Sequence, residues 1–380
     1  MSAFAGPEVA NNGLVFYYDI NNTEKSWKGK PTTNLYDFSF YQAEGGHTGS
    51  RTVGDAPDLN TSVVDYHTIT TAGSWVSEAN RLIIWPLTEL SASTTYRVSF
   101  WARVTSKGST TIRSAFYGNN TNNTHNLTPS WQRFSYSSTT HSAYRALEFG
   151  SSDGAITFQV AGIQWESNDF ETPYTKTSRS NTQSILDLTN NNTLTLNDLT
   201  YNSNGTFEFN GTTNYARCTN SCGLTDSITL SAWIKNYYSG SGPHKTVICT
   251  DIGYQYGVKL MTYKNYSRYG LWLGFNTSNY EALINVDIND NITKMLTGSW
   301  NRTTGEVRLY VNGILTSSIN TGQTSVIALA DGLITVGAEY HSIGNNGFGG
   351  NIYSAQIYNR VLSDAEVSQN FQASRGRYGI

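Results

Sequence analysis

Short stretches in which apolar and polar residues alternate, each cut off by Gly, Asn or Ser, recur along most of this chain. That period of two leaves little room for anything but antiparallel β-structure. The clearest example is GEVRLYVNGILTSSI, residues 305–319. Val307, Leu309 and Val311 point one way and Arg308, Tyr310 and Asn312 the other, as a half-buried strand requires. Asn312-Gly313 supplies two residues that tolerate positive φ, so the chain reverses tightly and Ile314–Ile319 returns as the partner strand. The same grammar covers TYRVSFWARV (95–104), WQRFSYSS (131–138), AITFQVAGIQW (155–165), SITLSAWIK (227–235), YGLWLGF (269–275), LITVGA (333–338) and NIYSAQIYN (351–359). One helix is expected, where Ser363-Asp-Ala-Glu366 forms a capping box and Val367 and Phe371 fall four apart on one face. The expected fold class is all-β: antiparallel sandwiches with one short C-terminal helix.

Composition narrows the function. The 25 Lys and Arg against 28 Asp and Glu leave a net charge of −3. That excludes the basic field that nucleic acid or an anionic membrane would call for. Charged residues make up only 14% of the chain, well below the roughly 25% of ordinary soluble domains. Asn, Thr, Ser, Gly and Tyr take their place, giving a neutral surface rich in hydrogen-bonding groups. Such a surface suits an extracellular or particle-exposed protein. The start, MSAFAGPEVANNGLVFYYDI, shows no basic segment followed by an apolar one, so no targeting signal is read there. No apolar run approaches the roughly 18–20 residues of a membrane span. Cys218, Cys222 and Cys249 are too few and too odd a set for a disulfide framework. CTNSC lacks a second half for a zinc site, so the three read as unlinked thiols. Asn-x-Ser/Thr triplets such as Asn210-Gly-Thr arise by chance in so Asn-rich a chain.

Catalytic constellations are missing. Glycan hydrolysis needs two placed carboxylates, and the nearest acidic cluster, Glu166, Asp169 and Glu171, reads as solvated charge on a loop after a strand. No Gly-x-Ser-x-Gly elbow, His-Glu-x-x-His or phosphate loop occurs. The six histidines are scattered, and His341 in AEYHSIG is a loop residue. No catalytic residue is assigned.

Binding has more to work with, because sugars present hydroxyls around apolar C–H faces and are held by an aromatic platform flanked by planar hydrogen-bonding groups. In TYRVSFWARV the residues Tyr96, Val98, Phe100, Ala102 and Val104 form the apolar face, leaving Arg97, Ser99, Trp101 and Arg103 on the other. A Trp flanked by Arg on a polar face fits a glycan platform, and fits packing under a loop equally well. In YGLWLGF, Tyr269, Leu271, Leu273 and Phe275 share a face and Trp272 lies between two glycines on the other. Those glycines either leave the indole accessible or let another strand approach closely. The candidate glycan-binding residues are therefore Trp101, Arg97, Arg103 and Trp272.

Taken in order, FEFNGTTNYA, SITLSAWIK, GEVRLYVNG, LITVGA and GNIYSAQIYNRVLSDAEVSQNF resemble a laminin-G-like, concanavalin A-like jelly roll over roughly 180–380. TYRVSFWARV, SWQRFSYSS and ITFQVAGIQWESNDFETPYTKT resemble a carbohydrate-binding module of the jelly-roll type. GLVFYYDINNTEKSW resembles the first strand of phage laminin-G-like proteins, in which a segment like ILDLTNNNTLTLNDLTYNSNGTFEFNG soon follows. Here that segment begins at Ile185, so the resemblance implies a discontinuous laminin-G-like domain, 1–31 plus 178–380, with a carbohydrate-binding-module-like sandwich, 32–177, inserted after its first strand. The junctions GKPTTN (29–34) and KTSRSNT (176–182) read as linkers. The fold implied is two jelly-roll β-sandwiches.

Concanavalin A-like glucanases carry their carboxylates as Glu-x-Asp-x-x-Glu, which this chain lacks. Both families commonly place core aromatics where Trp131 and Trp233 stand, so these two are expected to be structural. Both commonly bind calcium. Asp251 and Asp331 are candidates that abundance of Asn and Asp leaves unranked, and no metal site is assigned. The Met1 start and the RGRYGI terminus resemble phage virion proteins. The implied function is a non-enzymatic virion protein exposed on the particle, a fibre tip, adhesin or capsid decoration, that adheres to host-surface glycans. Its partners would be those glycans, other virion proteins and its own copies, most simply as a trimer. The rivals are a cement protein without a sugar site and a secreted glycan-active enzyme or accessory module.

Overall fold

The computed structural model describes residues 8–380 apart from 24, 37–47, 54, 60–64, 74–80, 85–89, 119–121, 169, 177, 203–206, 223, 225, 238–243, 251–254, 264–267, 288–290, 330–332 and 340–345. Asp169, Asp251, Asp331 and His341, singled out above, lie outside the described residues. The chain folds into two compact units, one built from Met1–Lys30 and most of Ser180–Ile380, the other centred on Pro31–Arg179. Both are antiparallel sandwiches of the jelly-roll kind, and the chain is all-β with one short C-terminal helix.

In the first unit an eight-stranded sheet has Gly349–Tyr358, Ile228–Asn236, Lys294–Asn301, Glu306–Val311 and Ile314–Asn320 as successive neighbours. Leu14–Asp19 pairs antiparallel with Gly349–Tyr358, Tyr18 opposite Ala355. A seven-stranded sheet runs Leu194–Asn197, Tyr215–Ser221, Leu333–Val336, His244–Cys249, Val258–Tyr263, Arg268–Gly274 and Asn279–Asn285. Their facing apolar residues, among them Phe16, Leu230, Leu271, Trp300, Val307, Leu309 and Ile357, form the core. The two layers meet so closely that a Cβ on Gly298 would lie 1.9 Å from Leu271 Cδ1. The expected hairpin turns at Asn312 (φ 49°) and Gly313 (φ 78°), the left-handed pair that a two-residue turn needs.

The outer face of the eight-stranded sheet is covered by the helix Asp364–Ser374. Ser363 and Glu366 close the capping box there, side chain to backbone in both directions. Val367 and Phe371 pack on Trp233, Met295, Tyr310 and Tyr358, and Phe371 stacks on Trp233 with ring centres 5.5 Å apart. Trp233 is structural, as its resemblance implies. Segment Ile185–Asn192 is knotted to the first strand: buried Asp187 accepts from the backbone N–H of Tyr17 at 2.9 Å and from Asn192 Nδ2 at 2.6 Å. All three cysteines are thiols, and burial pushes the Cys222 thiol up to about 11.

In the second unit a five-stranded sheet runs Thr48–Val53, Asp65–Thr71, Ile156–Glu166, Thr95–Val104 and Gln132–Thr139. A four-stranded sheet runs Arg81–Ile84, Leu147–Ser151, Thr110–Phe116 and Asn123–Leu127. Val98, Phe100, Phe116, Phe149, Phe158 and Trp165 fill the space between them. A bulge between Ala161 and Gln164, with Gly162 at φ 55°, lets both Val160 and Ile163 face the core. The extra residue restores the alternation, so Gln164 returns to the outer face. No helix among the described residues is long and apolar enough to cross a membrane.

Candidate functional site

The outer face of the five-stranded sheet is polar by alternation. Residues whose neighbours fill the core must point away from it, which puts Arg97, Ser99, Trp101 and Arg103 side by side on Thr95–Val104. Register then decides their company: Trp101 stands opposite Arg133 on one neighbouring strand and Ala161 on the other, and Arg103 stands opposite Gln159. A pocket of about 520 Å³ opens here, lined by Asp58, Leu59, Trp101, Arg103, Pro129, Ser130 and Trp131. Its size falls within the range of small-molecule sites.

Each wall is fixed. Arg133 lays its guanidinium over the Trp101 indole, 4.5 Å from the ring centre. It also donates through Nη2 to Ser99 Oγ at 3.1 Å and to the Thr172 carbonyl at 2.7 Å. Tyr174 meets the same indole edge-on at 5.8 Å. Across the pocket Arg103 stands over Trp131 at 4.9 Å. It donates from Nε to Gln159 Oε1 at 2.8 Å and from Nη1 to Asp58 Oδ2 at 3.3 Å. The Trp131 indole N–H donates to the Pro57 carbonyl, holding the 55–59 loop against the sheet. Ala56 from that loop is buried beside Ala161, with Leu59, Trp101, Trp131 and Tyr174 around them. Burial lowers the pKa of Arg133, with the carboxylates of Glu171 and Glu166 working against that shift.

The structure therefore brings two of the four candidate residues together, Trp101 and Arg103. Arg97 shares their strand and face but sits further along, donating to Ser135 Oγ at 2.8 Å and Ser137 Oγ at 3.3 Å. Trp272 lies in the other unit and is 4% exposed, so it offers no open platform. Its flanking glycines serve close approach instead: a Cβ on Gly270 would strike Ala282 O at 1.9 Å and one on Gly274 the Gln255 backbone at 2.6 Å. Met261, Tyr263 and Leu283 pack on Trp272, and Lys259 Nζ lies 5.0 Å from its ring centre.

Trp131, expected to be structural, is half-buried, packs against Ala56 and Ala161 and also forms a wall of the pocket, because it falls at the loop edge of Gln132–Thr139. One other expectation is corrected. Glu166 is the last residue of Ile156–Glu166 and fully buried. Its carboxylate accepts from Thr32 Oγ1 at 2.9 Å, from the Thr172 backbone at 3.1 Å and from Thr172 Oγ1 at 2.5 Å. It anchors the 170–175 segment and is no solvated loop charge. Asp58, Leu59, Pro129 and Ser130 carried no signal in the sequence; only the packing of two loops over the sheet gathers them. Among the described residues no group of three or more His, Cys, Asp or Glu side chains is placed to hold a metal ion.

Residues 210–368 match the sequence profile of the concanavalin A-like lectin/glucanases superfamily. No curated protein matches the sequence. Solved structures of similar shape include the botulinum neurotoxin serotype D ligand-binding domain in complex with N-acetylneuraminic acid, at TM-score 0.40 and 17% identity over 51% of this chain and 49% of that one. The binding domain of botulinum neurotoxin serotype G gives TM-score 0.41 and 18% identity over 50% of this chain and 48% of that one. The Ruminococcus gnavus IT-sialidase CBM40 bound to α2,3 sialyllactose gives 0.33 and 18%, over 38% of this chain and 81% of that one. The chain thus spans about half the length of the neurotoxin domains it matches.

Proposed function

We propose that this chain is a non-enzymatic glycan-binding protein, that the Trp101–Trp131 pocket is its sugar site, and that it works as an adhesin exposed on a phage particle. The observation that carries the reading is the pocket: two half-buried indoles, a fixed Arg103 and an exposed Asp58 around about 520 Å³ on the polar face of a sandwich. Indole supplies the apolar surface on which a sugar's C–H face stacks, and Arg and Asp supply planar donors and acceptors for hydroxyls. The neutral, hydroxyl- and amide-rich composition supports an exposed setting. A site open to water stacks only part of a sugar, so single-site Kd values fall in the micromolar to millimolar range. Self-association, most simply as a trimer, and display in many copies raise adhesion by about 10²–10⁴ without new contacts. The test is a glycan array with the wild-type protein and Trp131→Ala. Binding by the wild type that the variant loses supports the reading; a protein that binds no glycan refutes it. Immunogold labelling of purified particles tests the setting.

A further inference from the structure

Resting on that reading, we infer that the pocket takes uncharged sugar rings in preference to acidic ones, and that Asp58 determines this specificity. Asp58 and Arg103 are the two charged residues that line the pocket. They face each other, Arg103 Nη1 lying 3.3 Å from Asp58 Oδ2, so the pocket has no net charge. Their exposure is unequal: the Arg103 side chain is 15% exposed and that of Asp58 is 85% exposed.

The cation is partly engaged and holds less of the pocket mouth than the carboxylate does. Arg103 Nε is on Gln159 Oε1 at 2.8 Å, Nη1 is on Asp58, and its flat face is on Trp131. The neighbouring Arg133 is held by Ser99, the Thr172 carbonyl and, at 3.8 Å, Glu171. An incoming carboxylate would first meet the most accessible charge in the pocket, which is negative. Discrimination of this sort works by repulsion as much as by attraction.

Asp58 is also held in place. It sits in a turn at φ 59°, a left-handed conformation that Asp adopts readily. The turn is closed by Leu59 N–H to the Ala56 carbonyl at 3.2 Å and pinned by the Trp131 bond to Pro57. Ionised Asp accepts only, and among the described residues its Oδ1 carries no hydrogen bond. Two adjacent hydroxyls of a neutral ring are the donors that fit it.

The test compares matched pairs on an array and by calorimetry: neutral galactose-, glucose- and N-acetylhexosamine-terminated oligosaccharides, and the same chains capped with sialic or glucuronic acid. Wild-type protein, Asp58→Asn and Trp131→Ala are used, with circular dichroism to verify folding. The expected result is a neutral preference of about tenfold or more in the wild type, shrinking at least about fivefold in Asp58→Asn, because the amide keeps the shape and removes the charge. Equal or tighter wild-type binding of capped chains, lost in Trp131→Ala, overturns the charge preference and leaves the sugar site standing. A neutral preference unchanged in Asp58→Asn overturns the role of Asp58. No binding to any member, or binding indifferent to Trp131→Ala, overturns the site itself.

Discussion

Arg133 covers one side of Trp101: guanidinium and indole lie 4.5 Å apart, with Tyr174 against the ring edge. The indole is therefore both part of the pocket and part of the packing under the 170–175 segment. Trp101→Ala is expected to weaken glycan binding about thirtyfold, the effect of losing an aromatic anchor worth about 2 kcal/mol. It also removes the cation–π contact and half-buried surface, lowering stability by about 2 kcal/mol. Isothermal titration and thermal melting of the same variant separate the two effects. A variant that loses stability and keeps full binding assigns Trp101 to packing alone.

A buried histidine gives the second unit an acid-sensitive element. His125 lies among Phe100, Phe134 and Tyr136 with Ser114 Oγ 2.7 Å from Nε2. Burial pushes its pKa down from 6.5 to about 4. The folded state thus binds a proton less readily than the unfolded one. The stability this neutral imidazole provides is complete above pH 6.5 and is lost as pH falls toward 4, by at most about 1.4 kcal/mol per pH unit. Calorimetric melting at pH 7, 6 and 5 should show the loss in the wild type and a flatter profile in His125→Gln. Identical profiles would exclude His125 as the source.

A second ionisable cluster sits beneath Trp272. Glu339 accepts from Lys259 and from Asn346 Nδ2 at 3.0 Å and faces His244 Nε2 at 3.3 Å, while the side chains of Lys259 and Glu339 are 2% and 1% exposed. Burial alone would raise the Glu339 pKa, but His244, Lys259 and Asn346 together bring it down to about 2. Its contribution is present above about pH 4.5 and lost as pH falls toward 2. Glu339→Gln takes the negative charge away from a buried ammonium, so a loss of about 3–5 kcal/mol in denaturant unfolding is expected. A loss below 1 kcal/mol would show that water or a local shift replaces the carboxylate.

How far the sequence reaches can be judged residue by residue. Period-two alternation located Thr95–Val104 to the residue, and Ser363 with Glu366 located the helix start, because both signals are local. Trp272 was left open and Glu166 misread because burial is not local. Whether Trp272 is covered depends on strands and side chains that fold over Gly270 and Gly274. Whether Glu166 is solvated depends on Thr172 and on Thr32, 134 residues away in sequence. Asp58 enters the site through a loop pinned by Trp131, and no period or motif announces such a contact.

The first unit holds its own strand Leu14–Asp19 beside Gly349–Tyr358. It also keeps both ends of the intervening segment together: Lys28 N–H donates to the Ser184 carbonyl at 2.7 Å, and Trp27 bridges to Ile185. Ends that close can be joined by a short linker without strain. Replacing residues 31–179 by a few glycines and serines should leave a soluble domain that melts in one cooperative transition. An unfolded product, alongside a well-folded 180–380 fragment, would refute the insertion.

A glycosidase needs a carboxylic acid that can reach the glycosidic oxygen and a second carboxylate placed about 5–10 Å from it. Glu166 has its oxygens occupied by Thr32, Asn168 and Thr172 and is fully buried. Buried and bonded in this way, it holds the 170–175 segment from which Thr172 steadies Arg133. Incubating the protein with host-surface polysaccharide and analysing the products by mass spectrometry should show no oligosaccharide release. Glu166→Gln should lower the melting temperature and, by loosening Arg133 over Trp101, weaken glycan binding. Reproducible release of oligosaccharides by the wild type, abolished in Glu166→Gln or Glu171→Gln with folding intact, would overturn the non-enzymatic reading and make the acidic cluster the active site.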